Sequence, residues 1–306
     1  MKKLLVCLLV LALFSGAALA ETVTITYVTA PLNVPSIIER EYGLFNEALA
    51  PLGDEIAYSE LTTGPEQTQA LASGDIQFLY AVGSTSVILS AANGADIQII
   101  SMYSRSPEAF CLFGKDDSIQ SPEDLRGKVV CGPTGTILHE LLVAYLNTAD
   151  MTLEDIQFVD MTIPNAMAAL VGGSCDAALI AGANAYQLEK DGYPIVTTGE
   201  GLVDATICVA SSGAYLEEHP EVAEAFLQGQ AAVLERMDAD WDACLEVVAQ
   251  ALDMDLDATR EMAAMYDFSM EIRESDIQAM ERTAQFMLDQ GMIEQEVDIQ
   301  SLLWEA

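Results

Sequence analysis

Ala70-Leu71-Ala72-Ser73-Gly74-Asp75-Ile76-Gln77-Phe78 and Ala169-Leu170-Val171-Gly172-Gly173-Ser174-Cys175-Asp176-Ala177-Ala178-Leu179 decide the fold. Each reads as the end of a helix, a glycine stop and the opening of a short apolar strand. Glycine suits the stop because the residue just past a helix often turns left-handed. One such unit is ordinary; two with the same Ala-Leu-to-Gly spacing are an internal echo. Each is preceded by a proline-containing helix start, at Pro65 and Pro164, and followed by a loop of small residues, 81–85 and 181–185. The pair predicts two lobes of similar build, each offering a small-residue loop at the carboxyl end of a strand.

The flanks continue this grammar. Residues 23–27 alternate and are rich in Val, Ile, Thr and Tyr, a strand signature. A proline break at 31–35 and an amphipathic stretch at 37–45 follow, then a second strand near 56–61. Thr63-Gly64-Pro65-Glu66 is a capping box that opens the helix ending at Gly74. The strand at 76–82 runs into Gly83-Ser84-Thr85-Ser86, which caps a helix reaching Asn93-Gly94, and 97–103 is the next strand. Downstream come a helix start at Ser121-Pro122-Glu123-Asp124, a strand at 128–131, and Gly132-Pro133-Thr134-Gly135-Thr136 leading into a helix at 137–146. A capped turn at 152–155 precedes a strand at 156–159. Alternating strands and helices predict an α/β fold with mostly parallel sheets. From Tyr215 onward only helices are predicted, at 219–237, 241–252, 258–266 and 275–290. The stripe Ile277, Met280, Ala284, Met287 has helical period and reads as core, so these helices are expected to brace the first lobe.

The chain has 306 residues and opens Met1-Lys2-Lys3, an apolar run, then Ala18-Leu19-Ala20. That is the form of an export signal, too short to span a bilayer. The expected product begins near Glu21, outside the cytoplasm, as a free periplasmic protein. Cys7 lies too early to carry a lipid, and no cysteine follows Ala20. Without residues 1–20 the formal charge goes from −36 to −38, a field that repels nucleic acid and anionic membranes. A hydrophobic content of 51% supports real cores. Of the remaining cysteines, Cys111, Cys131, Cys175, Cys208 and Cys244 fit no zinc spacing. His139 and His219 are too far apart for a histidine metal site. No metal or cofactor is expected.

Ligands of open α/β sheets sit beyond the carboxyl ends of strands, where helix starts present unpaired N–H groups and partial positive charge. Gly83-Ser84-Thr85 and Thr134-Gly135-Thr136 both combine glycine with hydroxyls at a helix start, one per lobe. Either they only cap their own helices, or they grip a ligand between the lobes. Neither is a P-loop, since no lysine follows, and neither GxGxxG nor GxSxG occurs. His139 sits among apolar helix residues and His219 precedes Pro220. Nothing clusters as a nucleophile with its base.

The blocks Leu71 to Ile76, Val82 to Thr85, Ala91 to Ala95, Tyr103 to Pro107, Ser121 to Val129, Gly135-Thr136 with His139, the echo at Ala169, and His219-Pro220-Glu221-Val222 resemble the aliphatic-sulfonate, taurine and nitrate-binding proteins of ABC importers. The resemblance runs from about residue 22 to 230. It implies a type II periplasmic-binding fold: lobe one from residues 21–108 with 209–306, lobe two from 109–208, and crossings near 108–113 and 206–211. It implies binding rather than catalysis, with a small anionic or zwitterionic solute and a membrane permease as partners, in a monomer. Carried over by position, the ligand meets Leu32, Asn33, Gly83, Ser84 and Thr85 from lobe one. From lobe two it meets Thr134, Gly135, Thr136, Ala183 and Asn184. Asp204 is placed to pair with an amine, or is a solvated loop acid. If the two crossing strands pair side by side, Cys111 and Cys208 face each other as a candidate disulfide, whereas Cys131 and Cys175 are expected at opposite edges of their sheet. The departure is a shortage of cations: Arg105 is the only basic residue near the expected cleft, which favours a monoanion or zwitterion. The alternatives are an enzyme similar to the thiamine-pyrimidine synthases, which share the fold, and an exported ligand-sensing subunit reporting to a membrane kinase.

Overall fold

The computed structural model describes residues 21–28 and 32–305, so the export-signal reading of 1–20 lies outside the described residues. The strands are β1 (Thr22–Thr26), β2 (Glu55–Ser59), β3 (Phe78–Gly83), β4 (Gln98–Arg105), β5 (Phe110–Gly114), β6 (Val129–Gly132), β7 (Gln157–Asp160), β8 (Ala177–Ala181), β9 (Ile195–Thr198) and β10 (Thr206–Ser211). They form two five-stranded sheets, ordered β2-β1-β3-β10-β4 and β7-β6-β8-β5-β9. β1 runs parallel to β2 and β3, and β6 runs parallel to β7 and β8. In each sheet one strand is reversed: β10 lies antiparallel between β3 and β4, and β5 lies antiparallel between β8 and β9. Both reversed strands follow a crossing of the chain, so each lobe is completed by a strand delivered from the other.

That exchange corrects two expectations about cysteines. β5 and β10 belong to different sheets and do not pair, so Cys111 lies opposite Ile180 and Thr198 while Cys208 lies opposite Val82 and Met102. Cys131 and Cys175 are not at opposite edges: β6 and β8 are neighbours, and the two residues are buried in one apolar cluster. All five cysteines of the described residues are free and buried.

Lobe one carries α1 (Val34–Tyr42), α2 (Leu44–Leu49), α3 (Gly64–Ser73) and α4 (Ser84–Ala92); lobe two carries α5 (Ile137–Asn147), α6 (Ile163–Val171) and α7 (Ala183–Lys190). The amphipathic stretch read at 37–45 is broken at Gly43, whose φ of 66° ends α1 and starts α2. Along β3 the side chains alternate: Phe78 and Tyr80 enter one core, Leu79 and Val82 the other. On the first side, Phe226 stacks against Phe45 at 4.3 Å and Phe78 at 4.2 Å. Phe226 comes from the C-terminal set α8 (Gly213–Glu218), α9 (Pro220–Ala239), α10 (Trp241–Ala251), α11 (Leu256–Ala263) and α12 (Glu274–Asp289). On the other side, Met280, Ala284 and Met287 of α12 bury against α4 and β4, so the helical stripe is core and braces lobe one. In lobe two, Leu138, Leu141 and Leu142 of α5 cover one face of the sheet, and Ala166, Leu170 and Leu188 of α6 and α7 cover the other.

Arg105 is spent in this framework. Its guanidinium forks onto Asp276 at 2.6 and 2.5 Å and donates to the Glu271 carbonyl at 2.8 Å. This pins the end of β4 to α12, and Arg105 does not line the cleft between the lobes.

Candidate functional site

The two sheets direct the carboxyl ends of β1, β3, β6 and β7 toward one gap, a hollow of about 130 Å³ between the lobes. Phe110 and Ile207, which open the reversed strands, lie in its lining. The helix-start residues Asn33, Thr63, Gly83, Thr136 and Thr162, which begin α1, α3, α4, α5 and α6, all line it. Five helix N-termini therefore meet at one cavity. Each brings the positive end of a helix dipole and first-turn N–H groups, of which the Ser36 N–H in α1 is already spent on Tyr103 Oη at 3.0 Å. Thr63 and Thr136 spend their hydroxyls on their own helices. α1, α4 and α6 have no side-chain cap. α4 also lacks a proline in its first turn, so its amide groups are the least committed.

Among the described residues, the lining contains no Asp, Glu, Lys, Arg, His or Cys. Polar recognition falls to backbone amides, threonine and serine hydroxyls, and the amides of Asn33 and Gln67. Asn33 donates to the Val28 carbonyl at 2.7 Å. Gln67 is 3% exposed and its Oε1 has no partner. A buried, unpaired amide oxygen costs about 1–3 kcal/mol, and a ligand donor would relieve that. Ala81, also in the lining, has φ of 81° where β3 bulges against β10. For a non-glycine residue this is a strained conformation of the kind that gathers at binding sites.

The two glycine turns face each other. A Cβ on Gly83 would sit 3.2 Å from Ile137 of the opposite lobe, and one on Gly135 would sit 3.0 Å from Leu89 and 3.2 Å from Pro65. Ser86 Oγ donates across the gap to the Gly135 carbonyl at 2.7 Å. The lobes are thus in contact around the cavity, in a closed arrangement.

Of the sequence-predicted residues, Asn33, Gly83 and Thr136 line the cavity. Ser84 and Thr85 lie buried directly behind, Ser84 held by Thr206 at 2.7 Å and Thr85 donating to Glu140. Gly135 supplies the lobe contact, and its N–H donates to His139 Nδ1 at 3.3 Å. His139 stacks on Phe158, and burial lowers its pKa. Thr134 is exposed, its N–H bonded to Asp160. Leu32 is buried in the cluster under α1 and α10. Ala183 packs against that cluster, and Asn184 is outside the cavity lining. Asp204 pairs with Arg282 of α12 at 3.0 Å, in a separate, open hollow of about 410 Å³. A further hollow of about 220 Å³ lies by α7, α11 and Cys111.

Sequence reading did not assign Thr62, Thr63, Gly64, Gln67, Thr162 and Pro164 to the ligand. The signal was present in the Thr-x-Pro starts of both echo helices, read only as helix punctuation.

Two lobes of matching topology, each completed by a strand from the other and closing on a cleft at their helix starts, are the type II periplasmic-binding fold. A family model described as NMT1/THI5 like matches residues 35–239. The chain belongs to the NMT1/THI5-like family. It is 28% identical over 220 residues to a taurine-binding periplasmic protein of Escherichia coli strain K12, a match covering 71% of this chain and 66% of that one, just under two thirds of its length. It is 24% identical over 276 residues to a putative aliphatic sulfonates-binding protein of Bacillus subtilis strain 168, covering 88% and 82%. Its fold is similar to that of the alkanesulfonate-binding protein SsuA from Xanthomonas axonopodis pv. citri bound to MOPS, with TM-score 0.84, 21% identity, and coverage of 93% and 98%. The desulfurization enzyme DszB shares the fold at TM-score 0.68 and 15% identity, with coverage of 92% and 96%.

Proposed function

We propose that this chain is the extracytoplasmic solute-binding component of an ABC importer. It would capture a small anionic or zwitterionic solute of the sulfonate, taurine or nitrate kind in the inter-lobe cleft and deliver it to a membrane permease. One observation carries the reading: five helix N-termini converge on a cavity whose described lining has no ionisable side chain. Such a cavity offers N–H donors and positive dipole ends, each contributing about 0.3–1 kcal/mol to an anion and more when buried. It has no carboxylate to repel a sulfonate and no cation that would demand a dianion. The Gln67 amide gives a second polar anchor for the rest of the solute. The relatives named for taurine and aliphatic sulfonates support the same solute class.

On this reading residues 1–20 direct export, no lipid anchor is attached, and the chain works as a monomer that meets its permease in the closed form. Asn33, Gly83, Ser84, Thr85, Thr136 and Gly135 stay in the proposed site, joined by Thr63, Gln67, Ser86 and Thr162. Leu32, Thr134, Ala183, Asn184 and Asp204 would act only if the lobes closed differently around a larger solute. Catalysis is not proposed, since the described lining offers its hydroxyls no general base to activate them.

Thermal unfolding with taurine, short alkanesulfonates, nitrate, a carboxylate and an organic cation tests the reading. A true solute at a hundredfold excess over its dissociation constant adds about 2.7 kcal/mol of stability. Stabilisation by sulfonates with no turnover is expected. Stabilisation by the cation alone, or chemical conversion of the hit, would overturn it.

A further inference from the structure

Glu140 belongs to lobe two, one turn into α5 from the residues that face the cleft, yet its side chain ends inside lobe one. It is 5% exposed. Thr85 of α4 donates to one carboxyl oxygen, and Thr283 of α12 donates to the other at 2.9 Å. Both threonines are buried. Lobe separation must break both bonds and return the carboxyl group to water.

We infer that Glu140 is a proton-linked latch, a positioning residue that sets how readily the lobes close. The chemistry follows from the groups facing it. α4 presents only Thr85 and carries no ionisable residue. α12 presents Thr283 and Arg282, but Arg282 is occupied by Asp204. Asp204, on the segment before β10, adds a like charge nearby, and His139 on α5 accepts from the Gly135 N–H with its pKa lowered by burial. Glu140 lies at the edge of the hollow that Asp204 and Arg282 share, and among the described residues no cation other than the engaged Arg282 lines it. Closing on an ionised Glu140 therefore leaves a carboxylate with little access to water and two hydroxyls as compensation. Protonated, it keeps both contacts, because a threonine hydroxyl can accept as well as donate. Burial accordingly raises its pKa above the ordinary 4.5, against the opposing effect of the two threonine bonds.

The sign is fixed by linkage. The closed form binds the proton more tightly than the open form. The proton's contribution to closure is full below the ordinary glutamate value and fades as pH rises through the raised one. Each unit of separation between the two values shifts the closed-to-open ratio by up to about tenfold. The latch depends only on lobe motion, not on which solute fills the cleft.

The test measures lobe separation in the ligand-free chain. Spin labels at Ala72→Cys on α3 and Val171→Cys on α6 sit at exposed ends of helices that start at the cleft and run away from it. Their distance distribution is read at about pH 5.5 and about pH 8. In the otherwise unaltered chain the short-distance fraction is expected to grow at the lower pH. Glu140→Gln, which mimics the protonated group, is expected to stay closed at both. Glu140→Ala, which leaves two buried hydroxyls unpaired, is expected to open at both. If either variant fails to fold by circular dichroism, Thr283→Val should shift the chain toward open from the other side of the contact. A distribution indifferent to pH and to Glu140→Gln, or Gln and Ala variants moving in the same direction, would overturn the latch.

Discussion

At the scale of single residues, two carboxyl groups, Glu39 and Glu140, are buried on hydroxyl partners rather than on a cation. Glu39, 1% exposed on α1, has Tyr58 Oη 2.9 Å from both of its oxygens. Burial raises its pKa from 4.5 to about 7, against the Tyr58 hydrogen bond and the Arg40 charge. The folded chain therefore holds this proton more tightly than the unfolded one. That stabilisation is full below about pH 4.5 and is lost as pH rises through about 7. Glu39→Gln is expected to be more stable than the parent at pH 8, by at most about 3 kcal/mol, and equal to it under acid conditions. Urea unfolding at both pH values checks this, and a Gln variant weaker at pH 8 would show that the ionised form is the one the fold needs. Such residues were not legible from sequence, because a glutamate on an amphipathic helix reads as solvated until the sheet that covers it is known.

Elements tell a different story. Helix starts and stops were readable one by one: the Thr63 and Glu66 capping box forms as expected, and Gly74 closes α3 in the left-handed region at φ 81°. What sequence could not supply was which strands are neighbours. Apolar periodicity says that β5 and β10 are buried, not that each is inserted between two strands of the lobe on its far side. The side-by-side pairing expected for Cys111 and Cys208 failed for that reason. The site was half legible on the same grounds. Gly83 and Thr136 announced themselves by composition, whereas Gln67 and Thr162 depend on α3 and α6 being aimed at a common point. Packing between elements also sets substitution costs. Gly229 of α9 lies where a Cβ would come 2.3 Å from the ring of Phe45 and 3.3 Å from its backbone. A helical Gly→Ala change ordinarily gains about 1 kcal/mol, but overpacking costs about 1–3 kcal/mol. With Phe45 stacked on Phe226 the ring cannot step aside, so Gly229→Ala is expected to lower stability by about 1–2 kcal/mol in thermal unfolding. A stabilised variant would mean that the aromatic stack yields more readily than its 4.3 Å spacing implies.

For the whole molecule, a formal charge of −36 surrounds a cleft whose described lining has no charged side chain and is edged by the positive ends of helix dipoles. The far field and the site therefore act on an anion with opposite signs. Salt screens the first beyond about 8 Å at physiological strength and touches the second little. Stopped-flow association of a sulfonate is expected to speed up several-fold from low to physiological salt, the reverse of ordinary electrostatic steering. Slowing with salt would place a net positive potential at the entrance.

The location of the anionic head tests the central claim most directly. A crystal structure of the chain with an alkanesulfonate, its sulfur fixed by anomalous scattering, is expected to show the sulfonate oxygens within about 3 Å of first-turn N–H groups of α4 and α5, with no charged side chain in contact. A sulfonate seated in either of the other two hollows, or held by an arginine or lysine, would contradict it.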